Sequence, residues 1–139
     1  MKRILIPCAI ILTAFMSCSE NCNDCLELPT KGLRYVDSSG TNLLFGDQAI
    51  YNPDSVLVKG LNGELVNVFP NQELERIQFV IENDITHYTV AISDSSVDTL
   101  SFELSKRKST RCCGDVTYST KTRLNGQEIA NNDLIIVTE

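Results

Sequence analysis

From Gly32 onward, apolar and polar residues alternate with a period of two, and turn-forming residues interrupt the alternation every 8 to 12 positions. Successive side chains of a strand point to opposite faces, so this is the pattern of sheets with one buried and one wet face. Leu33–Val36 reads as a first strand, Asp37–Gly40 as a turn, and Thr41–Phe45 as a continuing hairpin arm. Residues 46–53 read as a loop and Ser55–Lys59 as a strand. Gly60–Gly63 turns the chain into a strand at Glu64–Phe69, and Pro70-Asn71 turns it again. The alternation then sharpens. In Arg76–Glu82, Ile77, Phe79 and Ile81 share a face opposite Gln78 and Glu82. Asn83-Asp84 is a tight turn, and Ile85–Ile92 follows with Tyr88, Val90 and Ile92 on one face. Ser93–Ser96 turns into Val97–Ser105, where Leu100, Phe102 and Leu104 face inward and Thr99, Ser101 and Glu103 outward. Asp115–Leu124 places Val116, Tyr118 and Leu124 against Thr117, Lys121 and Arg123. Asn125-Gly126 is a hairpin signal, and Gln127–Ala130 and Leu134–Val137 finish the sheet. The one helical candidate is short, around Pro70–Arg76.

These elements predict an all-β fold, an antiparallel β-sandwich of about seven to nine strands, immunoglobulin-like or transthyretin-like in shape. Neither a repeat nor a low-complexity segment divides it, so residues 32–139 read as one domain.

Before that domain the pattern changes. Lys2 and Arg3 precede an uncharged apolar run, Ile4–Phe15, broken only by Pro7 and Thr13. The run falls short of the roughly 20 apolar residues a membrane span needs and fits the apolar stretch of a signal peptide. It ends in Phe15-Met16-Ser17-Cys18, a small residue directly before a cysteine, which resembles the lipobox of bacterial lipoproteins. Phe15 stands where that motif usually has Leu. The resemblance implies that residues 1–17 are removed and that Cys18 becomes the lipid-modified N-terminus. Two or three acyl chains would make that anchor close to permanent, since a single chain holds only marginally. Residues 18–31, polar and containing Pro29, read as a tether. Without lipidation, the same stretch reads as the leader of an ordinary secreted protein.

Charge narrows the partners. The whole chain carries 12 basic and 18 acidic residues, a net −6. Removing residues 1–17 takes away two bases and no acid, leaving 122 residues with a net charge of −8. Nucleic-acid binding relies on clustered Lys and Arg over phosphates, so no nucleic-acid partner is expected. The one basic cluster is Lys106, Arg107 and Lys108 with Arg111, read as a loop. It offers a patch for an anionic partner such as lipid headgroups, an acidic glycan or another protein; otherwise it is a solvated loop.

Besides Cys18, the exported part holds Cys22, Cys25, Cys112 and Cys113. An even number in an exported chain reads first as disulfides. Adjacent Cys112 and Cys113 are strained partners for each other, so a bridge between the two clusters is expected. It would close a loop of about 90 residues, worth roughly 4 kcal/mol at most in the chain-entropy account. A four-thiolate zinc site competes, although adjacent cysteines are a poor half-site. A thioredoxin-like redox pair lacks its βαβ context.

Other candidate chemistry is thin. His87 is the sole histidine, mid-strand between polar neighbours, with no G-x-S-x-G to pair with it. Glu73 with Glu75, and Asp94 with Asp98, are carboxylate pairs of the kind glycosidases place across a cleft. Asp37–Asn42 and Asn131–Asp133 carry oxygens suited to calcium, but Asx and Ser turns account for both. The sequence calls for no cofactor and no catalytic residue.

A lipobox, a nearby C-x-x-C, the D-x-x-G-x-N-L-L stretch at Asp37–Leu44, the V-D-T-L at Val97–Leu100, a Cys-Cys and a late Asn125-Gly126 together resemble small lipoproteins of Bacteroidetes-type bacteria. The resemblance implies a β-sandwich, a lipid-anchored envelope location at the outer membrane, and no particular activity. The functional expectation is a non-enzymatic binding or accessory module with an envelope protein or glycan as partner. The alternative is a hydrolase of envelope glycan or peptide, which requires His87 or a carboxylate pair in a concave site.

Overall fold

The computed structural model describes residues 28–83, 85–109 and 114–139. Among them the protein is all-β, with ten strands in two facing sheets. The strands are β1 (Thr30–Val36), β2 (Leu57–Gly60), β3 (Leu65–Val66), β4 (Val68–Asn71), β5 (Arg76–Val80), β6 (His87–Ala91), β7 (Val97–Lys108), β8 (Asp115–Leu124), β9 (Gln127–Ile129) and β10 (Leu134–Thr138). One sheet has the order β10-β1-β5-β4 and the other β3-β2-β6-β7-β8-β9. The count exceeds seven to nine because β3 and β9 are short pairings of two and three residues.

The departures from the expected elements have local causes. β10 pairs with β1 in parallel, with Gly32 opposite Leu134 and Val36 opposite Thr138. Parallel neighbours need a long connection, and here nearly the whole domain separates first strand from last. β1 starts at Thr30, so Thr30 and Lys31 belong to the sheet and not to the tether. The strand expected at Glu64–Phe69 is two: the chain leaves one sheet at Val66 and enters the other at Val68. The helical candidate at 70–76 is instead the end of β4 and a turn: Asn71 Oδ1 accepts from the Leu74 N–H at 2.9 Å as a helix cap would, but Glu75 enters the left-handed region at φ 47° and β5 begins at Arg76. Thr41–Phe45 forms no hairpin arm beyond a single bridge, Val36 to Asn42. Asn42 Oδ1 accepts from the N–H groups of Leu44 (3.0 Å) and Phe45 (3.2 Å), folding the segment inward so that Leu43, Leu44 and Phe45 join the core.

The core follows the period of two. Leu33, Tyr35, Ile77, Phe79, Ile135 and Val137 of one sheet meet Val58, Tyr88, Val90, Leu100 and Phe102 of the other. Phe79, Tyr88 and Phe102 form an aromatic cluster across the interface, with ring centroids 5.5, 5.8 and 6.5 Å apart in tilted and edge-on arrangements. Such pairs add about 0.5–1.5 kcal/mol each beyond the area they bury.

β8 breaks the period. Its register against β7 skips Thr120: Glu103 faces Lys121, but Leu104 faces Ser119. This bulge inverts the faces of the first half of β8. Thr117 and Ser119 fall on the same face as Leu104, while Tyr118 turns out and is 38% exposed, contrary to its expected inward place. Val116 is buried but stands outside the core cluster. The Thr120 hydroxyl donates to the Glu103 carbonyl at 3.0 Å.

The inward face of β7 also carries Asp98, only 8% exposed. A buried carboxylate needs donors, and it has two: the Tyr35 hydroxyl at 2.9 Å from the opposite sheet and Asn125 Nδ2 at 2.7 Å. Asn125 opens the β8–β9 turn with φ 49°, followed by Gly126 at 81°, the left-handed pair a tight hairpin demands. Burial first, then the Asp98 carboxylate, pushes the Tyr35 hydroxyl far above its ordinary 10.0. In the unfolded chain the tyrosine ionises near that ordinary value, so the bond's contribution is whole below it and is lost as pH rises beyond it. Tyr35→Phe is expected to cost about 1–3 kcal/mol at neutral pH by removing a donor from a buried carboxylate. The variant's stability falls less steeply above pH ~10 than the wild type's; urea titrations at pH 7 and pH 10.5 test both.

Candidate functional site

A groove of about 530 Å³ lies where the two sheets meet at the start of β1. Both sheets line it: Lys31 and Gly32 of β1 and Arg76 and Gln78 of β5 from one, Arg107 of β7 and residues 116–119 of β8 from the other. The connection from β9 to β10 closes it with Asn131 and Asp133.

Asn131 holds the floor together. Its Oδ1 accepts from Thr122 Oγ1 at 2.7 Å, Ser119 Oγ at 2.8 Å and Lys31 Nζ at 3.4 Å, and its Nδ2 donates to the Ser119 carbonyl at 2.7 Å. Thr122, 0% exposed, is thereby satisfied at a position where an apolar residue would ordinarily stand. Lys31 is 4% exposed, and its ammonium donates to the Asn132 carbonyl at 2.7 Å and lies 3.9 Å from Asp133 Oδ1. Burial lowers its pKa, and the Asp133 charge offsets part of that. Asn131–Asp133, a calcium candidate in sequence, thus serves as the polar clamp on β1.

Arg76 lies along the backbone of β1. A Cβ placed on Gly32 would stand 2.8 Å from Arg76 Cδ and 3.2 Å from its Nε, so the glycine makes room for the arginine stem. That Nε is buried and has no hydrogen-bond partner among the described residues. Across the groove, the Arg107 guanidinium sits 5.8 Å from the centre of the Tyr118 ring, within cation–π reach. The outward turn of Tyr118 that creates this pair is the consequence of the bulge at Thr120.

The structure divides the predicted anionic-partner patch. Lys106, Arg107 and Lys108 end β7 and are not a loop, because the hairpin with β8 extends through Lys108 and Asp115. Arg107 lines the groove; Lys106 and Lys108 are exposed beside it. Arg111 lies outside the described residues, as do Cys18, Cys22, Cys25, Cys112 and Cys113. Sequence reasoning missed Lys31 and Arg76. The available signal was Gly32, since a glycine inside a strand marks close approach by a neighbouring group.

The remaining candidates are not gathered into one cleft. His87 is exposed, and its Nδ1 shares a 2.9 Å hydrogen bond with Thr86 Oγ1. It borders two shallow depressions of about 280 and 350 Å³, neither lined by a carboxylate. Glu73 and Glu75 occupy the β4–β5 turn, Asp94 occupies the β6–β7 turn, and Asp98 is interior. Asp37 Oδ1 is occupied by its own turn, accepting from Ser39 N, Ser39 Oγ and Thr41 N at 2.7–2.9 Å; the Ser39 hydroxyl leads in holding this carboxyl below its usual range. Among the described residues, no three His, Cys, Asp or Glu side chains are grouped to hold a metal ion.

No protein-family model, curated protein or solved structure matches the chain.

The clamp has a measurable consequence. Asn131→Ala strips the acceptor from Thr122 and loosens Lys31, and is expected to cost about 1–3 kcal/mol. Thr122→Val in the same background should recover part of that loss, because it removes the hydroxyl left without a partner. Chemical denaturation of the two variants checks the order.

Proposed function

We propose that the chain is a lipid-anchored, non-enzymatic binding or accessory module of a bacterial envelope, and that it meets its partner at the groove between β1, β5 and β8. The anchor follows from the lipobox resemblance at Ser17-Cys18. Among the described residues no helix is long and apolar enough to cross a membrane.

One observation carries the binding reading. In a chain of net charge −6, this groove is lined, among the described residues, by three cations, Lys31, Arg76 and Arg107, and one acid, Asp133. Its size falls in the range of ordinary ligand sites. A locally positive concavity in an acidic protein focuses the field on anionic groups and repels surfaces like the protein's own. The lining offers amide, hydroxyl and guanidinium groups, which suit holding a partner.

The test is site-specific photo-crosslinking in the native host. A photoreactive residue replaces Tyr118 in the groove or, as control, Leu57 on the outer face of β2. An envelope species captured from position 118 and absent from 57 is the expected result; equal capture at both would sink the reading. Feeding a clickable fatty acid to the same cells checks the anchor: label is expected on the wild type and none on Cys18→Ala.

A further inference from the structure

We propose that the open edge of β8 from Asp115 to Ser119 takes up an extended, acidic segment of an envelope protein as an added strand. This deepens the binding-module reading and rests on the groove being the binding face.

β8 is covered along only part of its length. β9 pairs with it at Thr122, Arg123 and Leu124, and the chain then leaves for β10 in the other sheet. On its opposite side β7 accompanies it as far as the pair Lys108–Asp115. From Asp115 to Lys121, then, no strand among the described residues lies on the β9 side. Two hydrogen bonds fix which backbone groups point that way. The Gly114 carbonyl accepts from Ser109 N at 2.9 Å, toward β7. The Ser119 carbonyl accepts from Asn131 Nδ2 at 2.7 Å, away from β7. Backbone groups of successive residues alternate between the two neighbours of a strand, and both bonds give the same phase. Val116 and Tyr118 are bonded to β7, while the N–H and C=O of Asp115 and Thr117 face the open side with those of Ser119. Edges are commonly blunted by lysine, proline or a bulge. Here the bulge comes at Thr120, and Val116–Ser119 carries neither a charge nor a proline.

The groove is the space an added strand fills. Thr117 and Ser119 line it from one face of β8, Val116 and Tyr118 from the other. A concavity that touches both faces of a strand lies against its edge. Bonding to such an edge supplies affinity, and alternate side chains supply the choice of partner. On one face of the incoming strand, side chains follow Val116 and Tyr118, beside the Arg107 guanidinium. On the other they follow Thr117 and Ser119, toward Lys31 and Arg76 of the opposite sheet. Cations meet the strand on both faces, and Asp133 already lies beside Lys31. Carboxylates are therefore the complementary side chains, with apolar ones free to pack next to Val116 and Tyr118. A second copy of this chain fits less well, since it brings the same cations to the shared edge and two chains of net −6 repel.

The test uses the full-length protein, purified from host membranes in detergent, in anisotropy titrations with labelled heptapeptides. One peptide alternates valine with glutamate, the other valine with lysine. Saturable binding of the glutamate peptide alone is expected; equal binding of both overturns the acidic partner. N-methylation of its valines, or of its glutamates, removes the N–H groups of one edge. A strand docking by its backbone loses binding to one of these two changes, and binding that survives both overturns strand addition. Thr117→Pro removes the N–H on the open side, which β7 does not use, and should weaken binding about tenfold or more. Thr117→Val keeps that N–H and should bind as the wild type does. Arg76→Gln should also weaken the glutamate peptide about tenfold, the scale of a lost charge-assisted bond, so the answer does not hang on the proline variant folding well. In the native host, the adduct captured at position 118 should be digested by protease and should disappear with Thr117→Pro but not with Thr117→Val. No binding of either peptide, or an adduct of lipid or glycan at position 118, sinks the added strand and leaves the groove as the binding face. A dimer in sedimentation that Thr117→Pro dissociates gives the edge to a second copy and overturns the envelope partner. Loss of both peptide binding and crosslinking sinks the two readings together.

Discussion

Alternation is the constraint on which this fold depends. Each strand must turn one face to the opposite sheet and the other to water, and a one-residue slip exchanges them. Leu100, Phe102, Tyr88 and Val90 obey it without exception and meet Phe79, Ile77 and Leu33 across the interface. The bulge at Thr120 is a controlled slip. Below it, β8 contributes Leu124 and Thr122 to the interior; above it, Thr117 and Ser119 take that face and Tyr118 goes outward. A strand that had kept its phase would have sent Tyr118 inward and left Arg107 without a ring to rest on. The Arg107–Tyr118 pair at the groove therefore exists because the period fails at one residue.

The legible part of the sequence was the part where period and turn chemistry agree. β5, β6 and β7 were readable from Ile77 to Leu104 because each apolar position is large and each intervening one polar. Asn125-Gly126 was readable because only such a pair accepts two left-handed residues in succession. What escaped was decided by single residues acting on the backbone. Asn42 captures N–H groups nearby, turning an expected hairpin arm into a compact turn, and Glu75 at φ 47° ends the expected helix that Asn71 would have capped. The bulge at Thr120 leaves no mark in composition, since threonine suits a regular strand equally well. The split at Asn67 is likewise silent, because a strand that changes sheets keeps its alternation.

The site was less legible than the fold for a related reason. The basic run at 106–108 announces itself by adjacency, yet of its three residues Arg107 lines the groove. Lys31, Arg76 and Arg107 are scattered through 77 positions of sequence and become neighbours only through the pairing of β1 with β5 and the closing of the two sheets. No linear motif records such a convergence. Asp98 shows the same limit from the other side. As one of a carboxylate pair it suggested chemistry, but its place in the inward series of β7 gives it a structural task, joining Tyr35 of one sheet to Asn125 of the other.

The three groove cations can be ranked by what already occupies them. Lys31 is buried and hydrogen-bonded, so its charge is committed to the β9–β10 connection and reaches a ligand only as a field. Arg107 rests on Tyr118 near solvent, where screening over roughly 8 Å at physiological salt limits it to steering. Among the described residues, Arg76 combines a stem fixed by packing with a buried nitrogen that has no partner. Burial without satisfaction is costly, and a groove ligand cannot offset it at a nitrogen sealed from solvent. What Arg76 can offer an anion is therefore the terminal end of its guanidinium, while the cost of the sealed nitrogen stays with the fold.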